Sequence, residues 1–240
     1  MRVLGIETST AVCGVGLQID GGEYVERSLV ESHIHSEKLL TLVQEVLAEA
    51  RVSLQQIDAV AVSMGPGSFT GLRIGLSTAK GLSYSLDRPL IAVPTFEAIA
   101  EAVRAVHAPV REIIVVMDAR QGEFYTGRYR VTVTGKIEIV GDVRVMRLED
   151  AGALVPTEGE VLVVTDALPL VRSAVRQGVA VEDVHPYCRG GVVASVGRRK
   201  LAANELADTA LLEPLYLKDF VVKSEEHINK KSSSRSDHRS

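Results

Sequence analysis

The sequence predicts an α/β protein in which two similar halves each combine a mixed sheet with flanking helices. Two observations support this prediction. Each half opens on a short apolar run with an acid near its end: Val3–Thr8 carries Glu7, and Ile113–Asp118 ends in Asp118. In both halves antiparallel strand patterns follow, and helical and strand patterns then alternate, which is typical of a sheet that continues with parallel strands.

The first half begins with three strand patterns, and a hairpin signal, Asp20-Gly21-Gly22, separates the second from the third. A helical period then replaces the alternation of the strands, with apolar residues on one face of residues 37–50. The predicted elements are strands Val3–Thr8, Val12–Ile19 and Glu23–Glu31, helix Glu37–Ala50, strand Ile57–Ser63, a glycine-flanked helix over Ser68–Leu86, and strand Leu90–Val93.

The second half repeats this order without visible sequence identity between the halves. Its predicted elements are strands Ile113–Asp118, Glu123–Val133 and Lys136–Val145, a short helix Leu148–Leu154, strand Val161–Thr165, and helices Leu168–Gln177 and Gly191–Glu205. Two such copies are typical of the duplicated ribonuclease-H-like architecture of actin-like (ASKHA) proteins, which include heat-shock ATPases and sugar kinases; this likeness of fold predicts no activity by itself.

We expect the first lobe to comprise residues 1–108, with residues 209–222 returning to it, and the second lobe to comprise residues 109–208. The remaining residues, 223–240, are rich in Lys, Ser and Glu and have no periodic apolar residues. Such a tail cannot bury enough apolar area to offset the entropy cost of ordering, so we expect it to be disordered. Its removal should leave the melting temperature unchanged.

Composition limits the classes of function. The chain has 240 residues and a formal net charge of −4, which argues against a protein that grips nucleic acid alone through a basic face. Aromatic residues make up only 4%, so base-stacking platforms are not expected. No apolar run approaches the roughly 18 residues that a membrane span needs, and no signal segment opens the sequence. Cys13 and Cys188 have no metal or redox spacing, and we expect a cytoplasmic protein.

The stretch Ser63–Leu82 has the most specific pattern in the chain. Gly65-Pro66-Gly67 shapes a loop, Ser68 or Thr70 can cap the helix that follows, and Gly71, Gly75 and Ala79 form a stripe of small residues along it. One interpretation is a phosphate bound at the helix N-terminus. The other is a tight turn and a helix that another backbone approaches closely. The phosphate-loop pattern with a closing Lys-Ser/Thr is absent.

Several titratable residues are candidates for chemistry, each with a structural alternative. Glu7 and Asp118 end the first strands of the two halves, where ATPases of this architecture hold Mg²⁺ and phosphates, but both acids could simply hydrogen-bond neighbouring loops. The late strand Val161–Thr165 lacks the glycine pair expected on the adenosine side of such a cleft. The loop 118–123 has two interpretations: an internal Asp–Arg contact holds it, or it serves as a contact surface for a partner or nucleotide.

Histidines and cysteines offer weaker candidates. His33 and His35 lack a third ligand, so a surface or cap role is favoured over a metal site. His185 lies near Cys188 in sequence, but a Cys-His pair requires hydrogen-bond geometry that sequence cannot supply.

Four motifs in order give a specific resemblance to a known family. Leu4–Ser9, Gly65–Gly75, Met117–Tyr125 and Glu213–Leu217 resemble the bacterial TsaB (YeaZ) family from end to end apart from the tail. The resemblance implies an actin-like fold and a role in forming threonylcarbamoyladenosine beside the anticodon of tRNAs that read codons beginning with adenine. It implies a non-catalytic scaffold that heterodimerises with a TsaD-like catalytic subunit, assisted by a TsaE-like ATPase.

The same resemblance implies where chemistry and contacts lie. The catalytic relative has two metal-binding histidines four apart after the glycine-flanked helix, whereas this chain reads Ala92–Ile99 there, without histidine. We therefore expect no tightly bound metal or nucleotide, with ATP and metal used by the partner subunits and tRNA met only through the complex. The rival hypothesis is an actin-like phosphotransferase or ATPase acting at an interdomain cleft.

In this family the two helices Ser36–Ala50 and Ser68–Leu86 pair with their equivalents on the catalytic subunit, and we expect the same surface to form a homodimer when the protein is alone. The predicted contact residues are Leu39, Leu42, Val43, Ser68, Phe69, Thr70, Leu72, Arg73, Leu76, Ala79 and Lys80. A weak nucleotide contact is predicted at Glu7, Thr8, Ser9 and Asp118.

Overall fold

A computed structural model of the chain describes residues 1–19, 22–31, 34–151, 153, 155–156 and 159–217. Within these residues the chain forms two sheets and six α-helices. The first sheet contains β1 (Val3–Glu7), β2 (Val12–Gln18), β3 (Tyr24–Val30), β4 (Ala59–Ser63) and β5 (Leu90–Val93). The second contains β6 (Glu112–Asp118), β7 (Glu123–Val131), β8 (Ile137–Ile139), β9 (Arg144–Arg147), β10 (Val161–Thr165) and β11 (Ala180–Asp183). The helices are α1 (His35–Ala50), α2 (Phe69–Leu86), α3 (Thr95–Val106), α4 (Leu148–Ala151), α5 (Leu168–Ala174) and α6 (Gly190–Ala202).

The two sheets share a strand order that reflects the repeat in the sequence. The first has the order β3-β2-β1-β4-β5, with β1–β2 and β2–β3 antiparallel and the other pairs parallel. The second has the order β11-β10-β6-β7-β8, with β9 also paired to β7. In each sheet the strand that opens the half lies between an antiparallel neighbour and a parallel one.

One difference from the sequence analysis lies in the third strand of the second half. The predicted strand 136–145 is divided into β8 and β9. Gly141 lies between them with a φ of 77°, a left-handed conformation that interrupts extended backbone and that glycine adopts without cost.

Alternation along the strands sends side chains to two different cores. On one face of the first sheet, Leu4 and Ile6 pack with α1 and α2. On the other face, Val3 and Ala61 join a second core that also contains Phe96 of α3 and residues of the second sheet. The two lobes therefore share a continuous core.

Helix α6 packs against the face of the first sheet that is turned towards the second lobe. It falls within residues 109–208 but packs on the first sheet, because glycines on both sides permit backbone contact. A Cβ on Gly5 would lie 2.2 Å from the carbonyl oxygen of Gly190, and one on Gly16 would lie 2.2 Å from the nitrogen of Gly191. Helix α6 thus lies between the two lobes, and its buried residues belong to the core that both lobes share.

The segment after α6, which we call the C-terminal strap (residues 203–217), runs along the first lobe. The N–H of Ala207 donates to the carbonyl of Leu90 at 3.1 Å, and the N–H of Leu215 donates to that of Met64 at 2.8 Å. Leu212 packs against the core under α1 and α2.

Some sequence predictions concern residues outside the described part. These are the hairpin residues Asp20 and Gly21, His33, and the tail 223–240. Among the described helices, none combines the length and apolar character needed to cross a membrane.

Candidate functional site

The glycine stripe of α2 rests on the loop that follows β1. Hypothetical Cβ atoms on Gly67 and Gly71 would lie 2.4 Å from the carbonyl oxygen of Ser9 and 2.1 Å from that of Thr8, respectively. One on Gly75 would lie 2.1 Å from the Thr8 hydroxyl. The stripe therefore serves close packing within the chain, and this supports the interpretation of a closely approached helix.

The N-cap of α2 is Ser68. Its hydroxyl accepts a hydrogen bond from the N–H of Gly71 at 3.3 Å, which satisfies one of the free donors at a helix start. Of the two caps that the sequence allowed, the structure selects Ser68.

The loop over Glu7, Thr8 and Ser9 uses most of its polar groups within the chain, and the Thr8 hydroxyl has no hydrogen-bond partner among the described atoms. The carboxylate of Glu7 accepts from the N–H of Ser9 at 2.6 Å and from its hydroxyl at 2.5 Å. The carbonyl of Ser9 accepts from the N–H of Ser68 at 2.7 Å, and the N–H of Thr8 donates to Ser63 at 3.4 Å. All three residues are buried, and burial raises the pKa of Glu7.

These contacts bear on the nucleotide that other proteins of this architecture hold. A phosphate needs free N–H donors and space beside them. Here the N–H groups of Thr8 and Ser9 are engaged and their residues are enclosed. These two N–H groups are therefore not free to bind a phosphate.

Asp118, the counterpart in the second lobe, organises its own loop. Its carboxylate accepts from the N–H of Arg120 at 2.7 Å and lies 3.7 Å from the Arg120 guanidinium. The N–H of Asp118 donates to Asp166 at 2.9 Å. Burial and the nearby Asp118 charge raise the pKa of Asp166. The internal Asp–Arg contact, one of the two interpretations of this loop, is present. The described residues contain no cluster of His, Cys, Asp or Glu arranged for a metal ion.

The other titratable candidates have structural roles. His35 is buried at the start of α1, with Nε2 3.2 Å from the carbonyl of Val12. His185 bonds to Asp183 at 2.7 Å. Burial raises the pKa of the Cys188 thiol well above its usual value, and the thiol donates to the carbonyl of Val184 at 3.5 Å. This thiol is a buried, protonated group rather than a nucleophile.

The structure corrects the individual residues assigned to the partner surface. Six of them lie in the core of the first lobe with at most 7% of their surface exposed: Leu39, Leu42, Val43, Leu72, Leu76 and Ala79. These side chains are already buried within the chain, so in this conformation they offer little area to a partner. The pattern of apolar residues identified the inward faces of the two helices.

The outward faces carry different residues. Leu40 of α1 is 57% exposed, and Tyr84 of α2 is 89% exposed. Ser68, Thr70 and Arg73 are also exposed, and Phe69 and Lys80 are half-buried. Sequence reasoning missed Leu40 and Tyr84, both of which lie outside the inward-facing apolar stripe.

Phe69 and Arg73 contact the C-terminal strap. The guanidinium of Arg73 lies 3.8 Å from the centre of the Phe69 ring and donates from Nε to the hydroxyl of Tyr216 at 2.9 Å. The rings of Phe69 and Tyr216 are 5.1 Å apart between centres. Tyr216 lies in a motif that carried the family resemblance, but sequence alone gave it no role.

Two sheets of this order with α3 and α6 between them define an actin-like protein, as the sequence predicted. The activator of 2-hydroxyisocaproyl-CoA dehydratase from Clostridium difficile, solved with bound ADPNP, shares this fold with a TM-score of 0.50 and 8% identity over 87% of this chain and 99% of that one. Residues 29–158 match the family model described as TsaD: tRNA N6-adenosine threonylcarbamoyltransferase.

Two further proteins are much more similar. The tRNA threonylcarbamoyladenosine biosynthesis protein TsaB of Escherichia coli is 33% identical over an alignment of 225 residues, which covers 80% of this chain and 96% of that protein. YeaZ from Pseudomonas aeruginosa superposes with a TM-score of 0.79 and 27% identity, over 90% of this chain and 99% of that one. The chain belongs to the TsaB (YeaZ) family.

Proposed function

We propose that this protein is a non-catalytic scaffold and activator in the biosynthesis of tRNA threonylcarbamoyladenosine in the cytoplasm. It heterodimerises with a TsaD-like catalytic subunit, which transfers the threonylcarbamoyl group, and works with a TsaE-like ATPase. It meets tRNA only through this complex. Family membership supports the pathway, and the observation that carries the scaffold role is the internal engagement of the loop over Glu7, Thr8 and Ser9.

The interior of the chain also favours a scaffold over a transferase. The resemblance places metal-binding histidines of the catalytic relative near residues 92–99. Here the first turns of α3 bury Phe96 and Ile99 in the core shared by the two lobes. Such side chains provide no metal ligands. ATP and metal therefore act in the partner subunits, and this chain binds neither tightly.

The partner surface is the outward side of α1 and α2. The two helices pack together over one face of the first sheet, so their outward faces form one surface. Leu40 and Tyr84 project from it, and a large exposed aromatic residue is a frequent anchor of interfaces. Gly81 leaves open space beside it, with no other atom within 4 Å of its Cβ position. When the partner is missing, the same surface joins two copies of this chain.

Charge substitutions on this surface test the proposal. Leu40→Arg and Tyr84→Arg should abolish co-purification with the TsaD-like subunit and formation of threonylcarbamoyladenosine in the reconstituted system, with an unchanged melting temperature. Val133→Arg is the matched control, since Val133 is 95% exposed on the second lobe. Retained binding and activity in both helix variants would place the partner elsewhere.

A second measurement separates the scaffold from the rival phosphotransferase or ATPase. The purified chain should contain no stoichiometric metal and should hydrolyse ATP no faster than a blank. One bound ion per chain, or ATP turnover, that is lost in Glu7→Ala or Asp118→Ala would favour the rival.

A further inference from the structure

The two edges of the first sheet differ. The C-terminal strap covers the β5 edge, where the carbonyl of Leu90 accepts from the N–H of Ala207. At the opposite edge, β3 pairs with β2, and within the part of the chain that the structure describes no strand pairs with its other side. An uncovered strand edge presents free N–H and C=O groups that another strand can bind.

The hydrogen bonds at the two ends of β3 show which of its backbone groups face β2 and which face away from the sheet. The carbonyl of Glu23 accepts from Ile19, and the N–H of Glu31 donates to Ala11. Odd-numbered residues of this strand therefore bond to β2, and by alternation the N–H groups of Glu26, Ser28 and Val30 point away from the sheet.

The charged residues of β3 do not protect this edge. Glu26 is neutralised by Arg189, whose Nε lies 2.8 Å from its carboxylate, and it also accepts from the N–H of Gly191 at 3.1 Å. Arg27 forms an ion pair with Glu49 on α1. Free edges in natural proteins are commonly guarded by unpaired charges, lysine above all. Here both charges are paired within the chain, and Nη1 of Arg27 also donates to the outward carbonyl of Glu26 at 3.0 Å, a bond that an added strand would replace.

The C-terminal end of β3 carries apolar side chains that are exposed to solvent. Leu29 is 41% exposed and Val30 is 66% exposed. Beside them runs a groove of about 380 Å³ between β3 and residues 183–190, and its walls include Val12, Pro186 and Cys188. The groove provides room for side chains of a strand added at this edge.

We propose that β3 pairs with β3 of a second copy of this chain, antiparallel about a two-fold axis at Arg27. This register joins the outward groups of Glu26, Ser28 and Val30 to those of the second copy. It sets Val30 opposite Tyr24 and Leu29 opposite Val25, so apolar residues meet across the axis. Arg27 then stands opposite Arg27 of the second copy, and the Glu49 carboxylate paired with each arginine offsets their repulsion. The five-stranded sheets become one ten-stranded sheet.

This contact uses the sheet edge and not the outward side of α1 and α2. It can therefore be measured in a Leu40→Arg, Tyr84→Arg background, where association through the helices is blocked. Sedimentation velocity over a concentration series should show a dimer of this background variant. Hydrogen exchange of the amides of Glu26, Ser28 and Val30 should slow about tenfold or more on association, as expected for new backbone hydrogen bonds.

Two edge variants test the contact. Ser28→Pro removes an outward donor, and Val30→Lys places a charge at the edge. Each should leave a folded monomer at all concentrations, whereas Val133→Lys should remain dimeric. Should Ser28→Pro fail to fold, Val30→Lys decides alone. A monomeric background variant, or an unchanged mass in folded Val30→Lys, would overturn the proposal, and neither outcome depends on binding of the catalytic subunit.

Discussion

A Cβ on Gly75 would lie 2.1 Å from the hydroxyl oxygen of Thr8, a distance that no real side chain tolerates. This oxygen is buried and has no hydrogen-bond partner among the described atoms. At this point of the helix, α2 can therefore approach the loop after β1 so closely only because residue 75 is glycine.

Gly75→Ala should consequently destabilise the protein by about 1–3 kcal/mol, because the added methyl group must displace the loop or the helix. The measurement is the free energy of unfolding in urea. Gly81→Ala is the matched control on the same helix, since no other atom lies within 4 Å of its Cβ position. There the substitution should stabilise by up to about 1 kcal/mol through helix propensity. Equal effects at the two positions would show that α2 does not need the close approach.

Because Leu72 and Leu76 are buried, charge substitutions at these positions should destabilise the fold and not only weaken contact with a partner. They are 1% and 7% exposed, so arginine would place a charge inside the first lobe. Leu72→Arg and Leu76→Arg should cost several kcal/mol and lower the yield of folded protein.

The isosteric change Leu72→Met, which should cost less than about 1.5 kcal/mol, is the control for tolerance of the site. Thermal unfolding of the three variants checks this prediction. Folded Leu72→Arg protein with normal stability but no partner binding would instead restore the residue to the interface.

The contrast between inward and outward faces marks the limit of sequence reasoning here. The period of Leu39, Leu42 and Val43 correctly predicted a helix with one apolar face, because burial against a sheet imposes that period. The same pattern cannot distinguish a face covered by the protein itself from one covered by a partner. The exposed residues Leu40 and Tyr84 are not part of a helical repeat of apolar residues, so periodicity could not identify them.

Contacts between residues that are far apart in the sequence could likewise not be predicted from local sequence patterns. The glycine stripe predicted a close backbone approach, but the partner, Thr8, is 67 residues away and no local pattern links the two. Likewise α6 follows the second sheet in sequence and packs on the first through Gly190 and Gly191. The repeated order of strands and helices, by contrast, depends on local periodicity, and it predicted the actin-like architecture correctly.

The buried carboxyl of Glu7 should make stability depend on pH. Burial raises its pKa in the folded protein, against the opposing hydrogen bonds from Ser9. A raised folded-state pKa adds stability below the ordinary carboxyl pKa, and this contribution is lost as the pH rises through the folded-state value. Glu7→Gln keeps an oxygen acceptor for Ser9 without the charge.

The variant Glu7→Gln should therefore be more stable than the wild type at neutral and alkaline pH, and the difference should shrink as the pH falls to about 4. Urea unfolding over a pH series measures it. Glu7→Ala, which leaves the donors of Ser9 unpaired, should be destabilised throughout. A wild type more stable than Glu7→Gln at neutral pH would mean that the charged carboxylate is favoured in the fold.

The last prediction concerns Glu26 and Arg189, which are 163 residues apart and join the edge strand to the start of α6. The carboxylate of Glu26 accepts from Arg189 and from the N–H of Gly191, so it neutralises the guanidinium and caps a helix that has no side-chain cap of its own. The hydrogen bond from the Arg189 guanidinium to Glu26 raises the pKa of Arg189. Loss of the carboxylate leaves a charge and a helix donor without their partner.

Glu26→Ala should cost about 1–3 kcal/mol, and Glu26→Gln should cost less, because the amide oxygen can still accept from Gly191. A double-mutant cycle with Arg189→Ala should give a coupling of about 1 kcal/mol, which the partial exposure of both side chains and added salt reduce. If the cycle shows no coupling at low salt while Glu26→Ala still destabilises, the cap on α6 rather than the ion pair holds the strand to the helix.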